Sequence, residues 1–172
     1  MYLDEFFDYK NQVMNDLLTN KNIVRLIDED IEICRASELV YKNVFPYEYV
    51  PETVEHGDTY VCCDVDLLSE GERTNKTVYK PVLYIWVFTH KSLLRLPEGG
   101  VRTDKLAHEI AKELNGSRFY GMGELELYSV RRFAPMMDYQ GKQIVFHTRD
   151  WNRPHPAGKQ IPINRKTGVV AE

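Results

Sequence analysis

Residues 77–90 hold the densest apolar run in the chain, with Val78, Val82, Leu83, Ile85, Trp86, Val87 and Phe88 crowded into one stretch. Branched and aromatic side chains in such a run suit a pleated surface buried on both faces, so the segment predicts the central strand of a sheet. Pro81 lies inside it. Proline has no N–H to give a ladder, so the early part of this strand must sit at a bulge or an edge. Residues 59–68 predict a second strand by simple alternation. Val61, Cys63, Val65 and Leu67 share one face, and Tyr60, Cys62, Asp64 and Asp66 share the other, which makes one face core and the other partly wet. The polar stretch 69–76 reads as a loop between them.

Helical periods flank these strands. Leu3, Phe6, Phe7, Val13, Met14, Leu17 and Leu18 recur at three- and four-residue spacings and predict an amphipathic helix. Residues 19–22 break that pattern, and Asn22 is placed to cap a short further turn through Ile23, Val24, Leu26 and Ile27. Thr103 is placed to cap a second main helix, whose Leu106, Ala107, Ile110, Ala111 and Leu114 form one stripe before Asn115 and Gly116 end it. Lys105 and Glu109 lie on its solvated side. Residues 124–135 and 142–152 predict two closing strands, joined through residues 138–141, where Asp138 and Gly141 suit the ends of a type I turn. The order helix, strand, strand, helix, strand, strand predicts an α+β fold: a four-stranded, mainly antiparallel sheet with two helices packed on one face. The opposite face is left to find a partner.

Two segments stand outside that scheme. Residues 39–54 are rich in rings and prolines, with Tyr41, Phe45, Pro46, Tyr47, Tyr49 and Pro51, and predict an irregular edge arm packed by its own aromatics. Beyond Asn152 the chain has no period and few apolar residues, with Ile161 and Ile163 as the sizeable aliphatics before the final valines. It predicts an extended basic arm that is mobile in the free subunit and orders against a neighbour. The organisation is therefore a single domain, 1–152, and a C-terminal arm, 153–172. From Trp151 onward Arg153, Lys159, Arg165 and Lys166 face only Glu172 as a side-chain acid, whereas Asp28, Glu29, Asp30 and Glu32 crowd one early segment. Attraction between these two segments of different copies is expected.

A length of 172 residues is enough for one core without disulfides or metal. No apolar run approaches the roughly 20 residues that span a bilayer, and the start lacks the basic head and apolar stretch of a signal peptide, so a cytoplasmic place of synthesis is expected. A net charge of −4 speaks against nucleic acid as the main partner, because phosphate binding needs a concentrated basic face. Cys34, Cys62 and Cys63 have no metal-ligand spacing, and buried free thiols are the expectation for all three.

The residues carry little that suggests catalysis. Asp64 and Asp66 point the same way from one strand and could share a Mg²⁺ ion as nucleases do, but the Glu-x-Lys that usually completes such a site is missing from the next strand. Asp28 to Glu32 lack the glycine and spacing of a calcium loop, so exposed acid is the expectation there. The histidines, at 56, 90, 108, 147 and 155, show no metal-binding spacing. Gly121 to Gly123 and Gly99-Gly100 are not phosphate loops, and no serine or cysteine has nucleophile-elbow glycines. The expectation is a protein without enzymatic activity, cofactor or metal. Its rings are favoured interface anchors.

Over residues 40–152 the chain resembles the tail-terminator, or tail-completion, proteins at the neck of long-tailed bacteriophages, also called head–tail joining proteins. The matching stretches are the ring-rich segment 41–51, the strand end Ile85 to His90, residues 100–110 and residues 119–127. The resemblance implies a structural virion protein located in the tail or neck and made in the host bacterial cytoplasm. It implies a homo-oligomeric ring, a hexamer, that caps the tail tube protein and receives the head–tail connector or head-closure protein, with a sheath protein as a further neighbour if the tail is contractile. DNA would pass through the ring lumen without sequence-specific contact, and no membrane is involved. Candidate subunit-interface residues are Phe45, Tyr47 and Tyr49 in the first arm, and Trp151, Arg153, Lys159, Ile161, Ile163, Arg165 and Lys166 in the second. The alternatives are a head-closure or connector adaptor of the same neck, and a Mg²⁺-dependent nuclease using Asp64 and Asp66.

Overall fold

A computed structural model describes residues 5–51, 57–73, 76–120 and 123–149. Helices α1 (Glu5–Thr19) and α2 (Lys21–Ile27) lead through a 3-10 turn (Ile33–Leu39) to the short strand β1 (Val44–Phe45). Strands β2 (Thr59–Arg73) and β3 (Lys76–His90), helix α3 (Arg102–Leu114), and strands β4 (Glu124–Phe133) and β5 (Tyr139–Arg149) follow. They form a five-stranded sheet in the order β1-β2-β3-β5-β4. β1 runs parallel to β2, and the other neighbours are antiparallel.

The α+β class holds, with the expected strands in place and β3 at the centre. Two features revise the expected architecture. The sheet is mixed because the ring-rich segment adds β1 as an edge strand, with Val44 beside Val61 and Phe45 beside Cys62. Three α-helices, rather than two, supply the cover, since α2 buries Ile23, Val24, Leu26 and Ile27. Val13 and Leu17 of α1, Ile23 of α2, and Leu106, Ile110 and Leu114 of α3 meet Val61, Leu83, Ile85, Val87, Ile144 and Phe146 of the sheet in one core. Each such side chain contributes about 2 kcal/mol by leaving water, so this layer dominates the stability.

The second sheet face is not left bare. Phe45, Tyr60, Cys62, Trp86, Phe88 and Tyr139 form a smaller cluster there, with Tyr49, Tyr84, Phe133 and Met136 packed against it. The first arm and the β4–β5 turn thus close much of this face within one subunit, where the sequence suggested that a partner was required. Cys62 and Cys63 belong to the two different clusters, as strand alternation demands. Burial pushes both thiols up to about 12. Cys34, in contrast, is exposed, because the 3-10 turn turns only Ala36 and Leu39 inward.

The boundaries show where tertiary contacts replaced local signals. Asn20, not Asn22, caps α2, its side chain accepting from the N–H groups of Asn22 at 3.0 Å and Ile23 at 3.4 Å. Thr103 is buried inside α3 rather than capping it. The helix starts from an antiparallel bridge between Arg95 and Val101, and the Arg102 N–H is satisfied by the Leu94 carbonyl at 2.8 Å, so no side-chain cap is needed. The β4–β5 turn is complete before Tyr139, earlier than expected, and Gly141 lies inside β5 between Phe88 and Phe133. Pro81 pairs with Leu67 of β2, one residue before the β3–β5 ladder begins at Val82 and His147. That position meets its need for an edge.

Candidate interaction surfaces

The stretch 69–76, expected as a loop, is mostly strand. β5 accompanies β3 only between Val82 and His90, and β1 accompanies β2 only at Val61 and Cys62. From Leu68 and Lys80 out to Arg73 and Lys76, β2 and β3 pair with each other and, among the described residues, with no other strand. This two-stranded extension is roughly 17 Å long at the usual rise of a strand. A register shift between Ser69 and Glu72 marks a bulge in it, which increases local twist. Two strands without a third, or a covering helix, are marginal in water, and among the described residues no third strand joins this extension.

The other free border of the sheet is β4, paired with β5 on one side only. Leu127, Tyr128 and Val130 are all exposed on it, and the Tyr128 ring stacks on His147 with centroids 3.9 Å apart. A bulge between Leu127 and Ser129 interrupts the ladder, and Arg131 and Arg132 are exposed beyond it. Such a bulge and such charges are the usual means of keeping an edge from pairing without control. Phe119 and Met137, 85% and 97% exposed, add large apolar groups in the flanking turns. None of these was singled out from sequence. The alternation of residues 124–133 shows a strand, but not that it ends the sheet.

The first-arm candidates separate into roles. Phe45 is buried and stacks on Tyr49 with centroids 4.0 Å apart, and both rings lean on Tyr60. Phe45 therefore supports the fold, while of the three candidates Tyr47, 45% exposed, is the one that faces solvent. Burial first, then the neighbouring Asp58 carboxylate, raises the Tyr60 hydroxyl above its ordinary range. Trp151, Arg153, Lys159, Ile161, Ile163, Arg165 and Lys166, with the whole arm 153–172, lie outside the described residues.

Asp64 forms an ion pair with Lys10 of α1 at 3.1 Å, and Asp66 is exposed. Among the described residues no three of His, Cys, Asp and Glu gather as a metal site would need. The acidic segment 28–32 is not uniformly free. Glu29 pairs with Arg102, whose side chain is buried and also donates to the carbonyls of Leu26 at 3.0 Å and Leu93 at 2.9 Å. Asp28 lies 3.9 Å from Lys42. No described helix is long and apolar enough to cross a membrane.

No curated protein matches the chain. Among solved structures, a chain from the virion of a native gene transfer agent particle is similar at 16% identity, over 78% of this chain and 88% of that one, with a TM-score of 0.49. The sequence pattern of the YomW family matches residues 11–148, which spans α1 through β5 and takes in both sheet faces. On that match the chain belongs to the YomW family.

Proposed function

We propose that this protein is a structural subunit of a phage-type virion that works at the neck, forming a ring that caps the tail tube and joins it to the head connector. The observation that carries this reading is the two-stranded β2–β3 extension, which pairs with no other strand of its own subunit among the described residues. Supporting it are the phage derivation of the YomW family, the resemblance of residues 40–152 to tail-terminator proteins, and a second sheet border at β4 that presents apolar side chains to solvent. Two separated borders on one subunit suit head-to-tail contacts, which close into a ring when the rotation allows. The role is one of binding, without catalysis. Asp64 is held by a lysine, and Asp64→Asn leaves assembly intact under this reading, whereas a nuclease would lose cleavage.

Native mass spectrometry of the purified protein, alone and with tail tube protein, tests the ring. A closed assembly, expected as a hexamer, supports the reading, and a protein that stays monomeric at high concentration even with tube protein overturns it. Deleting the gene from a phage that encodes it should give full heads and complete tails that do not join. Tails of uncontrolled length with an otherwise normal neck would keep the tube-capping role and remove the joining role. Binding to the head connector without binding to tube would move the protein one ring higher, to a head-closure adaptor.

A further inference from the structure

Between α2 and residues 29–34, which lead from a bend into the 3-10 turn, the surface opens into a groove of about 460 Å³. Its floor is apolar. Val24 is buried, Ile31 packs half-buried against the main core, and Ile33 stays 38% exposed. Its outer rim is acidic. Glu29 is engaged by Arg102, but Asp30 and Glu32 form no ion pair among the described residues. The α2 wall contributes Lys21 and Arg25, so the acid is confined to one lip and gives the groove a direction.

We propose that residues 159–166 of a second copy of this chain occupy this groove. The segment reads Lys-Gln-Ile-Pro-Ile-Asn-Arg-Lys. A residue before proline, as Ile161 is before Pro162, is biased toward extended geometry, and residues two apart in an extended chain point to the same side. Bound in extended form, Ile161 and Ile163 would face one way together, toward Ile31 and Ile33 of the groove. Lys159 lies before them and Arg165 and Lys166 after them, placed to meet Asp30 and Glu32 on the acidic lip. Extended peptides bind grooves in this manner, with alternate side chains giving specificity and charge fixing register. Residues 150–172 follow directly on β5, and a stretch of that length reaches roughly 70 Å when extended, more than enough to bridge to a neighbour. The choice of a neighbour over the chain's own groove rests on the ring proposed above, and the test separates the two.

Cys34 stands at the groove and is the exposed thiol, while Cys62 and Cys63 are buried. Full-length protein with its native cysteines, isotopically labelled, is mixed with unlabelled Cys34→Ala/Ile161→Cys protein and oxidised, and the disulfide-linked species are read by mass. The expected product joins one labelled and one unlabelled chain, in yield on the order of tenfold above a Cys34→Ala/Lys112→Cys control. Asp30→Lys with Glu32→Lys in the labelled chain should lower that yield by on the order of tenfold, and Lys159→Glu with Arg165→Glu in the other chain should restore it. Yields equal to the control, or indifferent to charge reversal, overturn the inference. A disulfide found only within one chain, in the Ile161→Cys protein that keeps Cys34, overturns the choice of a neighbour. Native mass spectrometry of the unmodified protein reads the ring independently, so a ring without this disulfide leaves the proposed function standing and removes only the groove.

Discussion

The guanidinium of Arg102, at the start of α3, grips the carboxylate of Glu29 just past the end of α2. The same side chain donates to the Leu26 and Leu93 carbonyls, so one cation ties together the end of α2, the acidic segment and the approach to α3. Arg102 is buried, whereas Glu29 is 55% exposed. The two ends of the pair should therefore respond differently. Arg102→Ala takes this donor from the buried Leu26 carbonyl and the part-buried Leu93 carbonyl and should cost about 3 kcal/mol. Glu29→Gln removes a partner that water can replace and should cost less than about 1 kcal/mol. Urea melts of both variants measure this, and equal losses would show that the ion pair, not the carbonyl contacts, does the holding.

Helical phase in α3 gives a second expectation. Ile110 is fully buried between the helix and the sheet, while Lys112 is exposed. Ile110→Asp places an unpaired charge in the core and should prevent folding. Lys112→Asp should lower the melting temperature by no more than a few degrees. Circular dichroism melts decide it, and similar behaviour of the two variants would contradict the packing of α3.

Gly141 has a steric reason to be glycine. A Cβ at that position would lie 1.9 Å from the Val87 carbonyl oxygen and 2.7 Å from Phe88 Cα. Those are backbone atoms of the central strand and cannot step aside without breaking the β3–β5 ladder. Gly141→Ala should cost about 3 kcal/mol, whereas an alanine at Gly99 meets no atom within 4 Å but takes a backbone at φ +98° and should cost about 1 kcal/mol. Thermal melts of the pair would rank them, and a neutral Gly141→Ala would mean that the strands part more easily than the ladder implies.

The protein should lose stability in alkali. Burial raises the Cys62 and Cys63 thiols from 9.0 to about 12, and it raises the Tyr60 and Tyr120 hydroxyls as well, Tyr120 with help from its hydrogen bond to Asp16 at 2.7 Å. Above pH 9 for the thiols, and above pH 10 for the hydroxyls, the unfolded chain gives up these protons while the folded chain keeps them, so unfolding becomes easier as pH rises. The stabilisation is fully present below pH 9 and is lost toward pH 12 for the thiols, at up to about 1.4 kcal/mol per pH unit for each group. Denaturant melts between pH 8 and pH 11 should show this decline, and Cys62→Ala/Cys63→Ala should flatten it. A flat profile in the parent protein would mean that the thiols ionise freely in the fold.

Local chemistry made much of this molecule readable. The Leu106 to Leu114 stripe lies where a period of 3.6 puts it, Cys62 and Cys63 go to opposite clusters because a strand alternates, and Pro81 sits at the border of the central ladder because it has no N–H to give. The polar stretch 69–76 read as a loop because its residues carry no apolar alternation, although most of it pairs as strand. The site was less legible than the fold. The stacking of Phe45 on Tyr49 follows the expectation that the arm packs by its own rings, but nothing local to residues 124–133 says that their strand ends the sheet. The sequence by itself determined the main helices, the cores of the four long strands and which of their faces are apolar, since those follow from side chains a few positions apart. Only the tertiary structure decided the strand order, the cover of the second sheet face and the surfaces left open, because these depend on contacts between segments far apart in the chain, such as Arg102 with Leu26.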